Sequence, residues 1–294
     1  MSWTRLAPGV EIVAMPGLAP VVRGPDGEFL RINAPSRAVA GVLELLGHTA
    51  PAWMGEAHQD AQEIDRLLDA FAAAGYLGAP FSWPSERANV LVLGDERLTA
   101  PVTEFLAAAG ARPRPARPRD VTRLACAPAS GSQASGSQDV ADVAAVVWCL
   151  DRPVPQGLWQ DADRLPERGI AWARCHREGW QAWVEPIAAG PGGVLAAHVA
   201  ARRLAASPAH RELAAYWAGH TTAGPDPVTG AAAAAAVAAL VATDLAAWAM
   251  GRADRGGGLP AHRRLRRIDL RDLSVTEHCV LPIPPVAPIA DRHA

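Results

Sequence analysis

The stretch that most constrains this chain is residues 89–110, NVLVLGDERLTAPVTEFLAAAG. It predicts a buried strand, a turn at Gly94 and a helix from about residue 98 to 109. A strand that is apolar without alternation is covered on both faces, which belongs to a parallel sheet with helices on either side. Strand, glycine turn and helix together open a βαβ unit of the nucleotide-fold type. Residues 140–150 supply a second strong strand, and 169–174 and 181–187 two more. Helices are expected over 194–206 and 229–250, then a Gly-rich turn at 256–258 and closing strands over 265–270 and 276–281. The result is an α/β domain with a mixed sheet over 87–294. Between its first strands lies ARPRPARPR at 111–119, whose prolines lack the donors a central ladder needs. That piece belongs at a sheet edge or is irregular. Residues 127–138, containing GSQASGSQ, are low in complexity.

The first 80 residues follow another pattern. Apolar runs at 10–14, 19–23 and 28–32 are separated by Pro16-Gly17 and by Gly24-Pro25-Asp26-Gly27, the residues tight hairpins require. A helix is expected to begin near Ala34 with Asn33 as its N-cap, placing Val39, Val42, Leu43 and Leu46 on one face, and Gly47 stops it. Residues 48–59 are a loop or short helix. A second helix over 60–74 carries Ile64, Leu67, Leu68 and Phe71, and Gly75 ends it before an extended Tyr76-Leu77. Three strands and two helices make an α+β, winged-helix-like module over 1–80. PFSWPSE at 80–86 is the linker.

Composition removes several kinds of chemistry. The formal net charge is −2, without the basic excess that nucleic acid demands. A winged helix that binds DNA presents a basic recognition helix. Here the helix over 60–74 has Asp60, Glu63, Asp65 and Asp69 against Arg66 alone. No lysine occurs, which excludes a P-loop lysine, a pyridoxal Schiff base and a lysine nucleophile. Cys126, Cys149, Cys175 and Cys279 form no CxxC pair, so neither a disulfide framework nor a zinc knot is expected. The start, MSWTRLAPG, lacks the pattern of a secretory signal, and a cytoplasmic location follows as the expectation. Residues 230–250 are long enough to cross a bilayer. Their hydrophobicity is mostly alanine and Asp244 lies inside them, so a buried helix and no membrane are expected. Neither GxSxG nor HExxH is present. His278 lies between Glu277 and Cys279, but neighbours on a strand point to opposite faces, a poor basis for a Cys–His pair.

The N-terminal module resembles the precursor-peptide recognition domains of ribosomal peptide biosynthesis. The likeness rests on three strands, a helix ending in Leu45-Leu46-Gly47, and a last helix ending Leu67-Leu68-Asp69-Ala70-Phe71-Ala72-Ala73-Ala74-Gly75-Tyr76-Leu77. The remainder resembles the E1/ThiF-like domain of cyclodehydratase-partner proteins, the Ocin-ThiF-like type. This resemblance implies a non-catalytic subunit that binds a precursor's leader peptide and presents it to a YcaO-type cyclodehydratase, in azole formation of a thiopeptide-like pathway. It also implies a possible homodimer, while the charge balance above gives no nucleic acid partner. The leader would add to the third strand, at Phe29, Leu30, Arg31 and Ile32, with Ile64, Leu67, Leu68 and Phe71 as the helical wall; core packing is the competing role for each. Arg31 and Arg66 are candidates to pair with acidic leader residues. Family members carry Gly-Pro, Pro-Gly, Cys-x-x-Cys and an Arg, then a second cysteine pair. This chain has Glu185-Pro186, Gly190-Pro191, Leu195 and His198, Arg203, and then Pro284 and Ala287. With all four zinc positions altered, no metal is expected. The phosphate-holding turn is replaced by Gly94-Asp95-Glu96-Arg97-Leu98, so no nucleotide or other cofactor is expected either. An ATP-dependent E1-like adenylating enzyme and a winged-helix DNA-binding regulator are the alternatives. Of the ten tryptophans, Trp53, Trp83, Trp180 and Trp217 are candidates for an interface.

Overall fold

A computed structural model describes residues 5–54, 61–78, 83–126, 142–222, 224–225, 229–251 and 258–284. The chain divides into two compact units, Met1–Phe81 and Ser82–Ala294. The low-complexity run at 127–138 and the position of Ala287 lie outside the described residues.

In the first unit, β1 (Arg5–Leu6) pairs antiparallel with β5 (Leu77–Gly78), a pairing the apolar pattern does not announce. β2 (Glu11–Val13), β3 (Val21–Arg23) and β4 (Phe29–Arg31) form an antiparallel sheet in that order. Its second turn closes through Gly27, whose N–H reaches the Gly24 carbonyl at 2.9 Å with a φ of +86°, a conformation glycine adopts without strain. α1 (Ser36–Leu45) and α2 (Ala61–Ala73) complete the unit. The N-cap of α1 is Pro35 rather than Asn33. A residue preceding proline is pushed out of the helical region, so Ala34 cannot open the helix, while proline's fixed φ suits a helix start. Val22 and Ile32 from the sheet pack on Val39, Val42, Leu43 and Leu46 of the first helical segment and on Ile64 and Phe71 of α2. Phe71 meets Tyr76 edge to face at 5.9 Å.

The second unit is built on seven strands in the order β12-β11-β10-β9-β8-β6-β7. β6 (Asn89–Gly94), β7 (Arg112–Pro115), β8 (Ala145–Leu150) and β9 (Ala171–Glu178) are parallel. β10 (Gln181–Val184), β11 (Arg264–Asp269) and β12 (Val275–Cys279) continue antiparallel, which makes the sheet mixed. β8 shows why continuous apolar strands are needed. Ala145, Val147 and Cys149 enter one core with α3 (Glu96–Ala108) and α7 (Ala231–Ala249), while Val146, Trp148 and Leu150 enter the opposite core with α4 (Pro118–Cys126). The proline-rich segment is the edge strand β7, and the helix α4 that follows starts on Pro118. α5 (Ala196–Ala206) is followed by α6 (His210–Trp217), which the sequence pattern did not reveal. Trp83, expected in a linker, is buried against β6 and α3, with its indole N–H bonded to the Arg87 carbonyl at 2.9 Å.

α7 is long and apolar enough to cross a membrane by length and composition. Here it packs as a core helix, with Val237, Val241 and Leu245 buried. Asp244 is 1 % exposed and its carboxylate accepts from Arg264 at 2.6 Å and from Arg266. Removing a partner from so buried a group would leave an uncompensated charge, which costs several kcal/mol (about 3–5).

Candidate functional site

In the first unit the structure divides the eight residues proposed from sequence. Ile32, Ile64 and Phe71 are buried, packed in the core of the unit, the competing role named for them above. Leu67 and Leu68 are half-buried beside that core. Phe29, Leu30 and Arg31 are exposed along the whole of β4, with Phe29 at 61 % and Leu30 at 48 %.

The register of β4 explains this exposure. Leu30 stands opposite Val22 and Val22 opposite Ile12, so the three share a row across the sheet. Val22 is buried, which makes this the core-facing row, yet Leu30 at its open end is half uncovered. Phe29 and Arg31 lie on the other face, opposite Arg23 and Val21. The Glu28 carbonyl accepts from Gly24 and the Ile32 N–H donates to Pro20, so even-numbered positions of the strand bond to β3. By alternation the N–H and C=O groups of Phe29 and Arg31 point along the open edge. No strand pairs with that edge among the described residues. An extended chain laid there would gain main-chain hydrogen bonds and cover Leu30.

The second unit has a different candidate, the crevice at the carboxyl ends of β6 and β8 where the strand order reverses, the usual ligand position in such sheets. Gly94 has a φ of +126°, and a Cβ there would lie 1.7 Å from the Cys149 carbonyl oxygen. The glycine therefore lets two backbones touch, not a phosphate approach. Asp95, the N-cap of α3, accepts the Asp151 N–H at 2.8 Å through Oδ2. Asp151 in turn accepts from Arg177 Nε and from the Thr229 hydroxyl, each at 2.6 Å. Carboxylates held by the chain's own donors occupy the place of a glycine-rich phosphate cradle, and this chemistry does not fit a triphosphate.

Other positions singled out by sequence have structural roles. The Leu195 N–H donates to His198 Nδ1 at 3.2 Å, so this imidazole caps α5. Glu277, His278 and Cys279 alternate along the exposed strand β12, and Glu277 accepts from Arg266 at 3.0 Å. Trp53 and Trp180 are exposed, whereas Trp217 is partly buried and donates to Glu178 at 2.7 Å. Sequence reasoning missed this last arrangement. Its 39-residue separation in the chain leaves no local signal.

No family model and no curated protein sequence matches the chain. Among solved structures it is similar to a heterocyclase in complex with substrate and cofactor, at 14 % identity and a TM-score of 0.61 over 96 % of this chain and 39 % of that one. It is similar to the heterocyclase TruD at 15 % identity and a TM-score of 0.60, over 95 % of this chain and 41 % of that one. E. coli MccB matches at 11 % identity and a TM-score of 0.55, over 99 % of this chain and 97 % of its own. The chain thus spans about two fifths of the heterocyclase chains and nearly all of MccB. At these identities the likeness establishes a shared fold.

Proposed function

We propose that this chain is a non-catalytic recognition subunit that binds the leader peptide of a ribosomally made precursor and presents it to a separate YcaO-type cyclodehydratase. The observation that carries the reading is the edge of β4, where main-chain groups and the core-facing Leu30 are both uncovered. The module acts as a winged-helix-like clamp in which Leu67 and Leu68 supply the side-chain surface next to the added strand. The acidic excess of α2, with Glu63, Asp65 and Asp69 against Arg66 alone, favours a peptide over DNA.

The shared fold supports the same reading. Two of the similar structures are heterocyclases more than twice this chain's length. On this proposal the present chain corresponds to their recognition portion, as an E1/ThiF-like scaffold with its peptide module, and the enzyme is a second protein. The crevice filled by Asp95 and Asp151 disfavours the adenylating alternative.

Fluorescence anisotropy with the labelled leader encoded beside the gene tests the proposal. Saturable binding that is lost in Leu30→Asp is the expected result. An affinity no better than ~100 μM would overturn it. ATP-dependent pyrophosphate release by the chain alone would instead revive the adenylating enzyme.

A further inference from the structure

The second unit contains a cavity of 370 Å³ between the end of β9, residues 154–160, α5 and α6. That volume is at the small end of ligand pockets. Its walls are largely apolar, including Val154, Val199 and Leu204, and the small Ala200 and Ala214 leave the space open.

The charged groups at its border are already matched. Arg203 bonds both oxygens of Glu178, at 3.1 and 2.5 Å, and Trp217 donates to the same carboxylate at 2.7 Å. Burial opposes the ionisation of Glu178, but hydrogen bonds from His176 and Arg203 outweigh it and hold its carboxyl down to about 2. The Arg203 guanidinium also lies 3.8 Å from the Trp183 ring centre, which fixes its plane. Glu185 is paired with Arg174 at 2.6 Å. Asp163 caps α5, accepting from the Ala196 and Ala197 N–H groups at 2.8 and 3.0 Å, so that helix end is not open to an anion. An anionic ligand would meet ionised carboxylates whose cations are engaged, and a cationic ligand would compete with a bidentate arginine.

Two polar atoms remain over. The Trp159 indole N–H and His176 Nδ1 are buried without a hydrogen-bond partner, on residues that are 5 % and 3 % exposed and that line the cavity. Glu185 Oε1 is 3.5 Å from that imidazole nitrogen but outside hydrogen-bond geometry. Buried groups of this kind normally have a partner, and an unpaired one costs free energy until a ligand supplies it. Apolar walls, balanced charges and a spare donor select one kind of ligand.

We propose that the cavity is a binding site for a neutral, peptide-like group: an aromatic or large aliphatic side chain beside an amide carbonyl, which accepts from Trp159. The site lies wholly in the second unit and is argued independently of the β4 edge.

Three probes of similar size separate the charge classes on the full chain: N-acetyl-phenylalaninamide (neutral), N-acetyl-phenylalanine (anion) and glycyl-phenylalaninamide (cation), measured by saturation-transfer NMR titration. The neutral probe is expected to bind at least tenfold more tightly than either charged one. Trp159→Phe, which keeps an aromatic wall and deletes the donor, is expected to weaken it about fivefold. Ala214→Trp and Ala200→Leu each fill the cavity and should abolish binding while the melting temperature of at least one stays near that of the parent. Failure of the neutral probe to bind at about 10 mM, a preference for a charged probe, or unchanged affinity in both filled variants would overturn the proposal. Leader binding at β4 is read separately by anisotropy, so the two readings fail separately.

Discussion

The strands β4 and β7 are both sheet edges, and they are built in opposite ways. In β7, Arg112 and Ala116 donate to the Ala88 and Val92 carbonyls of the neighbouring strand segment. The alternating positions that face outward are Pro113 and Pro115, which have no N–H to offer. Natural sheets blunt their edges in this manner to refuse a further strand. β4 offers the reverse: its outward positions, Phe29 and Arg31, keep both donors and acceptors, and Leu30 adds uncovered apolar surface. The central strands β6, β8 and β9 of the larger sheet are covered on both faces, whereas the three-stranded sheet leaves its core-facing row open at one end. One chain therefore contains an edge, β7, that refuses a further strand and another, β4, whose donors and acceptors are available.

The largest effect should come from disturbing the centre of the larger sheet, where β6 and β8 touch. Gly94→Ala would drive a Cβ into the Cys149 carbonyl at a φ that side chains rarely adopt, and both obstacles are backbone. A loss of about 4 kcal/mol or more is expected in urea unfolding, the range reserved for such clashes. A variant that melts like the parent would show that the close approach of β6 and β8 is not needed.

Acid should loosen the same unit next. The Glu178 carboxyl is depressed to about 2 from an ordinary value of 4.5 because hydrogen bonds to His176 and Arg203 overcome the cost of its burial. A depressed carboxylate contributes stability above its unfolded pKa and loses it as pH falls toward the folded value. Thermal melts should thus fall between pH 4.5 and 2 by roughly 2–3 kcal/mol from this group. Glu178→Gln should flatten that part of the profile. An unchanged slope would move the acid sensitivity elsewhere.

These two tests bear on the part of the molecule that sequence exposes best. β8 is legible because every residue from Ala145 to Leu150 is apolar, and burial on both faces demands nothing else. β7 is half legible: its prolines point to an edge, but not to the pairing with β6, nor to α4 beginning on the last of them. α6 and the Glu178–Arg203–Trp217 cluster are not legible, because distant strands and helices bring these groups together without any local spacing. The candidate edge is intermediate. Its three strands follow from turn residues, but the sorting of Ile32 to the core and Leu30 to the open end depends on cross-strand register. Periodicity in so short a strand does not settle which neighbours cover it.

At the open edge the expected changes are smaller and fall on binding, not folding. Fully burying a leucine is worth about 1.5–3 kcal/mol, and Leu30 is already half covered. Leu30→Ala should therefore weaken leader binding by about 1 kcal/mol, near fivefold, with the melting temperature almost unchanged. A large stability loss with unaltered affinity would make Leu30 an ordinary core residue and erase the contrast with β7.

The smallest effect concerns charge. Arg31 is exposed on the outer face of β4, and an acidic leader residue crossing beside it would form a solvated ion pair. Such pairs contribute about 0.2–1 kcal/mol and are screened by salt. Arg31→Ala should cost up to a few fold in affinity at low ionic strength, and the difference from the parent should shrink by 0.5 M salt, where the screening length is only about 4 Å. Leu30→Ala, acting through burial, should keep its deficit across the same series, because excluded salt does not weaken apolar contact. Crossing the two substitutions with the salt series thus separates the strand's two faces: the row shared with Val22 reports covering of the core, and the row shared with Arg23 reports steering by charge. Equal salt dependence in both variants would mean that the peptide does not lie along β4 with its side chains alternating between those faces.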